Sequence, residues 1–124
     1  MKDHASSEAI AMYLLEVANV EPLSKEAEKE LLLQLKHSGA WNEQQENAAR
    51  RLIESQLSFV VRIADKYSSS GTPMIDLIQE GNVGLMNAIK TFAQTPVGAF
   101  GAYAAQRIEE SILDFTASRK DTQL

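Results

Sequence analysis

Apolar residues recur along this chain at spacings of three and four, and no stretch alternates apolar and polar positions as a half-buried strand does. The first such segment, Ser7 to Ala18, sets Ile10, Tyr13, Leu14 and Val17 on one face before Glu21-Pro22 interrupts it. Ser24 stands where an N-cap belongs, and Glu26 and Glu28 follow in the first turn, where they complement the helix dipole. That helix turns Ala27, Leu31, Leu32 and Leu35 inward and is expected to end near Ser38-Gly39. The longest pattern runs from about Glu43 to Tyr67 through Ala49, Leu52, Ile53, Leu57, Val60, Val61 and Ala64. Ser68-Ser69-Ser70-Gly71 reads as a flexible joint, and Thr72-Pro73 as the cap and first-turn pair of a fourth helix ending near Phe92. A loop through Thr95, Pro96 and Gly98 leads to a last helix carrying Phe100, Tyr103, Ala104, Ile108, Ile112 and Phe115. Helices of this number on short connections predict an all-α helical bundle. One domain is expected over residues 1–117, with a frayed tail over 118–124.

Composition narrows what such a bundle does. With 124 residues, 44% hydrophobic and 23% charged, the chain has an ordinary globular balance and enough apolar material for one modest core. It has no cysteine, which excludes disulfides and thiolate metal sites and suits a reducing compartment. No apolar run is long enough to span a bilayer, and the first ten residues lack the apolar stretch of a signal peptide. A cytoplasmic location without membrane contact is expected. The formal net charge of -5 argues against independent DNA binding, since neutralising phosphates normally takes a basic surplus.

Catalytic constellations are missing from the pattern. His4 and His37 fall in the N-terminal segment and at a helix end, without metal-ligand spacing between them. Gly81 and Gly84 flank Asn82-Val83, but no strand precedes them, so a nucleotide-binding loop lacks its context. Glu109 and Glu110 point about 100° apart on a helix and read as a solvated face rather than an acid/base pair. No enzyme activity, cofactor or metal is expected. The unusual segment is the fourth helix. Two glycines inside a helix cost roughly 1 kcal/mol each relative to alanine, so they call for a close backbone approach or a bend. Asp76, Gln79, Glu80, Val83 and Met86 fall at helical spacings and form a contiguous stripe suited to docking another protein.

These residues carry a resemblance. NAARRLIESQLSFVVRIADKYSSSG followed by DLIQEGNVGLMNAIKTF closely resembles the second conserved region of the sigma-70 family of bacterial transcription factors. AMYLLEVANVEPLS and KEAEKELLLQLKHSG align with the helices upstream of it. The similarity covers roughly Glu8 to Phe115 and is strongest from Arg50 to Phe92. It implies a region 2 helical bundle whose fourth helix docks on the coiled coil of the β′ subunit of core RNA polymerase. The family's contact positions fall on Asp76, Gln79, Glu80, Asn82 and Met86, all of the family's usual type. An acidic, amide-rich face with a methionine suits a basic, grooved partner.

The last helix departs from the family pattern. There the family carries a basic and aromatic stretch that melts promoter DNA at the -10 element. In this chain its tryptophan pair falls on Gln106-Arg107, and the arginine-glutamine pair that follows falls on Glu109-Glu110. The basic loop before it falls on Gln94, Thr95, Pro96, Val97, Gly98 and Ala99. Between Thr91 and Ala117 the only formal charges are Arg107, Glu109, Glu110 and Asp114, a net of two negatives. Losing aromatic stacking forfeits about 1–3 kcal/mol per base. Tyr103, Gln106 and Arg107 remain the candidate DNA-binding residues, and promoter melting is expected to be weakened or lost. Promoter DNA is then met only within a polymerase complex. Three alternatives stay open: part of a split sigma factor, with a second sigma chain or an anti-sigma factor as partner; a competitor that occupies polymerase without opening promoters; or a helical adaptor that binds an unrelated protein or pairs with itself. Trp41 reads as a packing anchor rather than a base-stacking platform, and Arg50, Arg51 and Arg62 as salt-bridge partners of Glu54 or Asp65 rather than supports for a nucleic acid.

Overall fold

The computed structural model describes the backbone of residues 2–36 and 39–123 and the side chains of residues 8–36 and 39–119. Five α-helices follow one another: α1 (Lys2–Ala18), α2 (Lys25–Gln34), α3 (Glu43–Asp65), α4 (Met74–Gln94) and α5 (Phe100–Gln123). No strand occurs among the described residues. The expected all-α bundle is therefore the fold. The side chain of His4 and the whole of His37 lie outside the described residues.

The centre of the bundle is α4, packed between α5 and α3, with α1 and α2 laid against α3 and α4. The apolar periodicity produces this arrangement directly. Leu77, Ile78, Leu85, Ala88 and Ile89 of α4 meet Leu52, Val60 and Ala64 of α3 and Ala104, Ile108 and Ile112 of α5 in one core. The two glycines sit where the helices come closest. A methyl group on Gly84 would stand 2.8 Å from the carbonyl oxygen of Arg107 and 2.8 Å from Cβ of Ser111. One on Gly81 would stand 2.7 Å from a methyl of Val60 and 3.2 Å from one of Ile112. Close approach is the reason for both glycines. Phe92 closes the far end against Phe100, edge-on at 5.4 Å, and against Tyr103 at 5.4 Å.

Ser24 caps α2 as expected, accepting from the Ala27 amide at 3.1 Å. Asn42 caps α3 in a full capping box: its side chain accepts from the Gln45 amide, and Gln45 accepts from the Asn42 amide. Several boundaries differ from expectation. α1 begins at Lys2, ahead of Ser7, and its Leu14 is 41% exposed rather than buried. α2 stops at Gln34, short of Ser38-Gly39, because its open carbonyls find tertiary donors. The Gln45 amide bonds the Gln34 carbonyl at 3.0 Å, and the Gln94 amide bonds that of Leu35 at 3.1 Å. α3 ends at Asp65, and Ser68–Ser70 forms a 3-10 turn closed by Gly71 in the left-handed region (φ 88°), not an open joint. Pro73 is the N-cap of α4 rather than its first residue, while Thr72 is buried and does not cap. α5 continues through the segment expected to fray, to Gln123.

Candidate docking face and the altered last helix

α4 buries one face in the core against α3 and α5 and leaves an outer ridge open. Its outer ridge carries Gln79, Val83, Asn87 and Lys90, all exposed, with Val83 at 51%. Asp76 and Glu80 flank the ridge on the α5 side. Asp76 lies 3.7 Å from the Arg119 guanidinium, and Glu80 accepts from the Ser111 hydroxyl at 3.4 Å. Both contacts are long and only half-buried, so the carboxylates remain reachable from solvent. Asn82 and Met86 lie half-buried on the opposite flank. The side-chain oxygen of Asn82 is buried without a hydrogen-bond partner. Met86 lines a recess of about 290 Å³ with Trp41, Glu46, Ala49, Arg50 and Ile53. Of the predicted stripe, Gln79 and Val83 lie on the exposed ridge, Asp76 and Glu80 are half-buried on one flank, and Asn82 and Met86 are half-buried on the other.

On α5, Tyr103, Gln106 and Arg107 come together, but they are occupied with one another and with Glu110. The Arg107 guanidinium lies over the Tyr103 ring at 5.2 Å and pairs with Glu110 at 2.9 Å. Gln106 donates to the same carboxylate at 3.4 Å. Tyr103 is half-buried and tilted against Phe92. This turn is internally neutralised, and its aromatic face is covered.

Glu109 is a correction to the solvated-face expectation. It accepts from the Tyr67 hydroxyl and from the Lys66 ammonium at 3.0 Å, bracing the end of α3 to α5. The Tyr67 hydrogen bond, then Lys66, hold its carboxyl below the ordinary value, against a smaller opposing effect of burial. The same hydrogen bond, aided by burial and by the negative charge of Glu109, pushes Tyr67 up to about 12. No sequence signal pointed to this brace, since its partners are 42 positions apart. The expected arginine salt bridges do not form. Arg50 donates to Asn47 at 2.7 Å, and Arg62 lies over the Phe59 ring at 5.6 Å. Trp41 packs against the core, as expected, with Lys90 over its ring at 5.8 Å.

Among the described residues, no cluster of three or more histidines and acids could hold a metal ion, and no helix is long and apolar enough to cross a membrane.

A five-helix bundle with a glycine-notched central helix is consistent with the helical bundle expected of sigma-70 region 2. The chain belongs to the sigma-70 region 2 family, whose model matches residues 52–122. It is 35% identical to the RNA polymerase sigma factor SigA of a Bacillus species over 116 residues, covering 94% of this chain and 29% of that protein. It is 37% identical over 113 residues to SigA of Lactococcus lactis subsp. cremoris, covering 91% of this chain and 30% of the relative. It is 34% identical over 118 residues to SigA of Clostridium acetobutylicum, covering 95% and 30%. The chain spans less than a third of the length of these curated relatives.

Proposed function

We propose that this chain is a non-enzymatic, sigma-type transcription-initiation module that binds core RNA polymerase and melts promoter DNA weakly or not at all. The observation that carries the first half is the exposed α4 ridge through Gln79 and Val83, with Asp76 and Glu80 on one flank and Asn82 and Met86 on the other. These are the positions at which the family meets the β′ coiled coil. A carboxylate flank steers a basic partner, and the apolar flank anchors it. The second half rests on α5. Arg107 is neutralised by Glu110 and covers Tyr103, so neither a free cation nor an open ring is offered to a base.

Binding of the purified chain to core polymerase tests the docking. Asp76→Arg and Gln79→Ala are expected to weaken it, and equal binding by wild type and both variants would count against it. The self-neutralised α5 favours the competitor within this reading. Adding the chain to polymerase carrying a resident sigma is then expected to reduce specific transcripts, and promoter-specific transcripts made with this chain alone would reverse that assignment.

A further inference from the structure

The recess beside the α4 ridge is made mostly of residues that the docking stripe does not include. Trp41, Ala49 and Ile53 form its apolar wall, and Met86, which belongs to the stripe, closes it. Its rim is basic. Lys90 is exposed and rests over the Trp41 ring, and Arg50 is exposed and held by Asn47. Among the described residues neither has a carboxylate within ion-pairing distance, apart from which only Glu46 contributes an acid to the lining. The other end of the ridge is acidic, at Asp76 and Glu80. Asp76 and Lys90 are fourteen positions apart on the same helix, or about 21 Å at 1.5 Å per residue.

We infer that the docking surface of this chain is polarised and two-pointed. Asp76 and Glu80 receive a basic segment of the β′ coiled coil. Fewer than three turns beyond Asp76, the Trp41–Met86 recess takes an apolar side chain, while Lys90, one turn further, and Arg50 pair with a neighbouring carboxylate. The inference rests on the docking reading above and adds to it a second anchor and a direction. Charges of opposite sign at the two ends admit the coiled coil in one orientation and oppose the reverse one, in which like charges meet. The recess supplies the apolar contact of such an interface through Trp41, Ala49, Ile53 and Met86.

Binding of the full chain to purified core polymerase, measured for wild type, Asp76→Arg, Lys90→Glu, Lys90→Arg and Trp41→Ala, separates the two claims. Lys90 is exposed, so its variants leave the fold intact, and a thermal melt controls for Trp41→Ala. Lys90→Glu is expected to weaken binding on the order of 10-fold, more at low salt than at high, while Lys90→Arg retains it. Normal binding by Lys90→Glu and Trp41→Ala, with Asp76→Arg defective, would overturn the second anchor and leave the docking reading standing. Failure of wild type to bind, or full binding by Asp76→Arg, would overturn both.

Discussion

At the scale of single residues, the Tyr67–Glu109–Lys66 brace makes stability depend on pH at both extremes. Glu109 has a lowered carboxyl pKa, so its contribution is complete above the ordinary carboxylate range and is lost as pH falls through the folded value. Tyr67 is raised, so the neutral hydroxyl contributes fully below about 10 and is lost as pH climbs through about 12. Glu109→Gln is therefore expected to shrink the acid-side decline in melting temperature, and Tyr67→Phe the alkaline-side decline. Ultraviolet titration should show one of the three tyrosines ionising near pH 12 in wild type, with that late step gone in Tyr67→Phe. Gly84 makes a second residue-level case. An added methyl meets backbone and Cβ atoms of α5, which cannot turn aside, whereas at Gly81 it meets the ends of Val60 and Ile112 side chains. Gly84→Ala should cost about 1–3 kcal/mol in urea unfolding even after its helix-propensity gain of roughly 1 kcal/mol. Gly81→Ala should cost less, because those side chains can give way.

Helix by helix, what could be read in the sequence follows from how local the controlling interaction is. α4 was legible almost throughout, because its apolar face, its notch glycines and its polar ridge are all encoded within twenty-odd neighbouring positions. Ser24 was legible as a cap for the same reason. The end of α2 was not, because glutamines from α3 and α4 stop it by reaching its carbonyls. Thr72 misled for a related reason: it is buried under the chain, so the backbone turns at Pro73 without its hydroxyl. Glu109 looked like its neighbour Glu110 from pattern alone, and only the packing of α3 against α5 separates them. The recess behind Met86 was equally hidden, since it joins Trp41, α3 and α4 from separate parts of the chain. The capping box at Asn42 offers a direct measurement at this scale. Asn42→Ala should destabilise the fold by about 1 kcal/mol in chemical denaturation. Gln45→Ala should cost more than a lone cap residue, because Gln45 also ties α3 to the last carbonyl of α2.

For the molecule as a whole, the question is whether a bundle of this family can open DNA with the α5 surface it carries. α5 is held against the rest of the bundle by Phe100, Ala104, Ile108 and Ile112, all buried. Loss of melting would therefore arise from the surface chemistry of one turn and not from misfolding. A flipped base seeking the Tyr103 ring must first displace the Arg107 guanidinium, which is also tied to Glu110, and Glu109 and Asp114 nearby add two further acids. With core polymerase and a duplex carrying 2-aminopurine in the -10 element, the chain is expected to give no rise in fluorescence. The triple variant Gln106→Trp, Arg107→Trp, Glu110→Gln removes the competing pair and restores aromatic surface while sparing the Glu109 brace. Both replaced positions at 106 and 107 are exposed, so the larger rings need not disturb the core. At about 1–3 kcal/mol per stacked base, affinity of the polymerase complex for single-stranded promoter DNA should rise by roughly 5- to 150-fold. A wild-type complex that already opens the duplex would show that melting does not depend on the chemistry of this turn. An unimproved triple variant would place the defect elsewhere, in the loop from Gln94 to Ala99, which lacks the cations needed to guide the strand in.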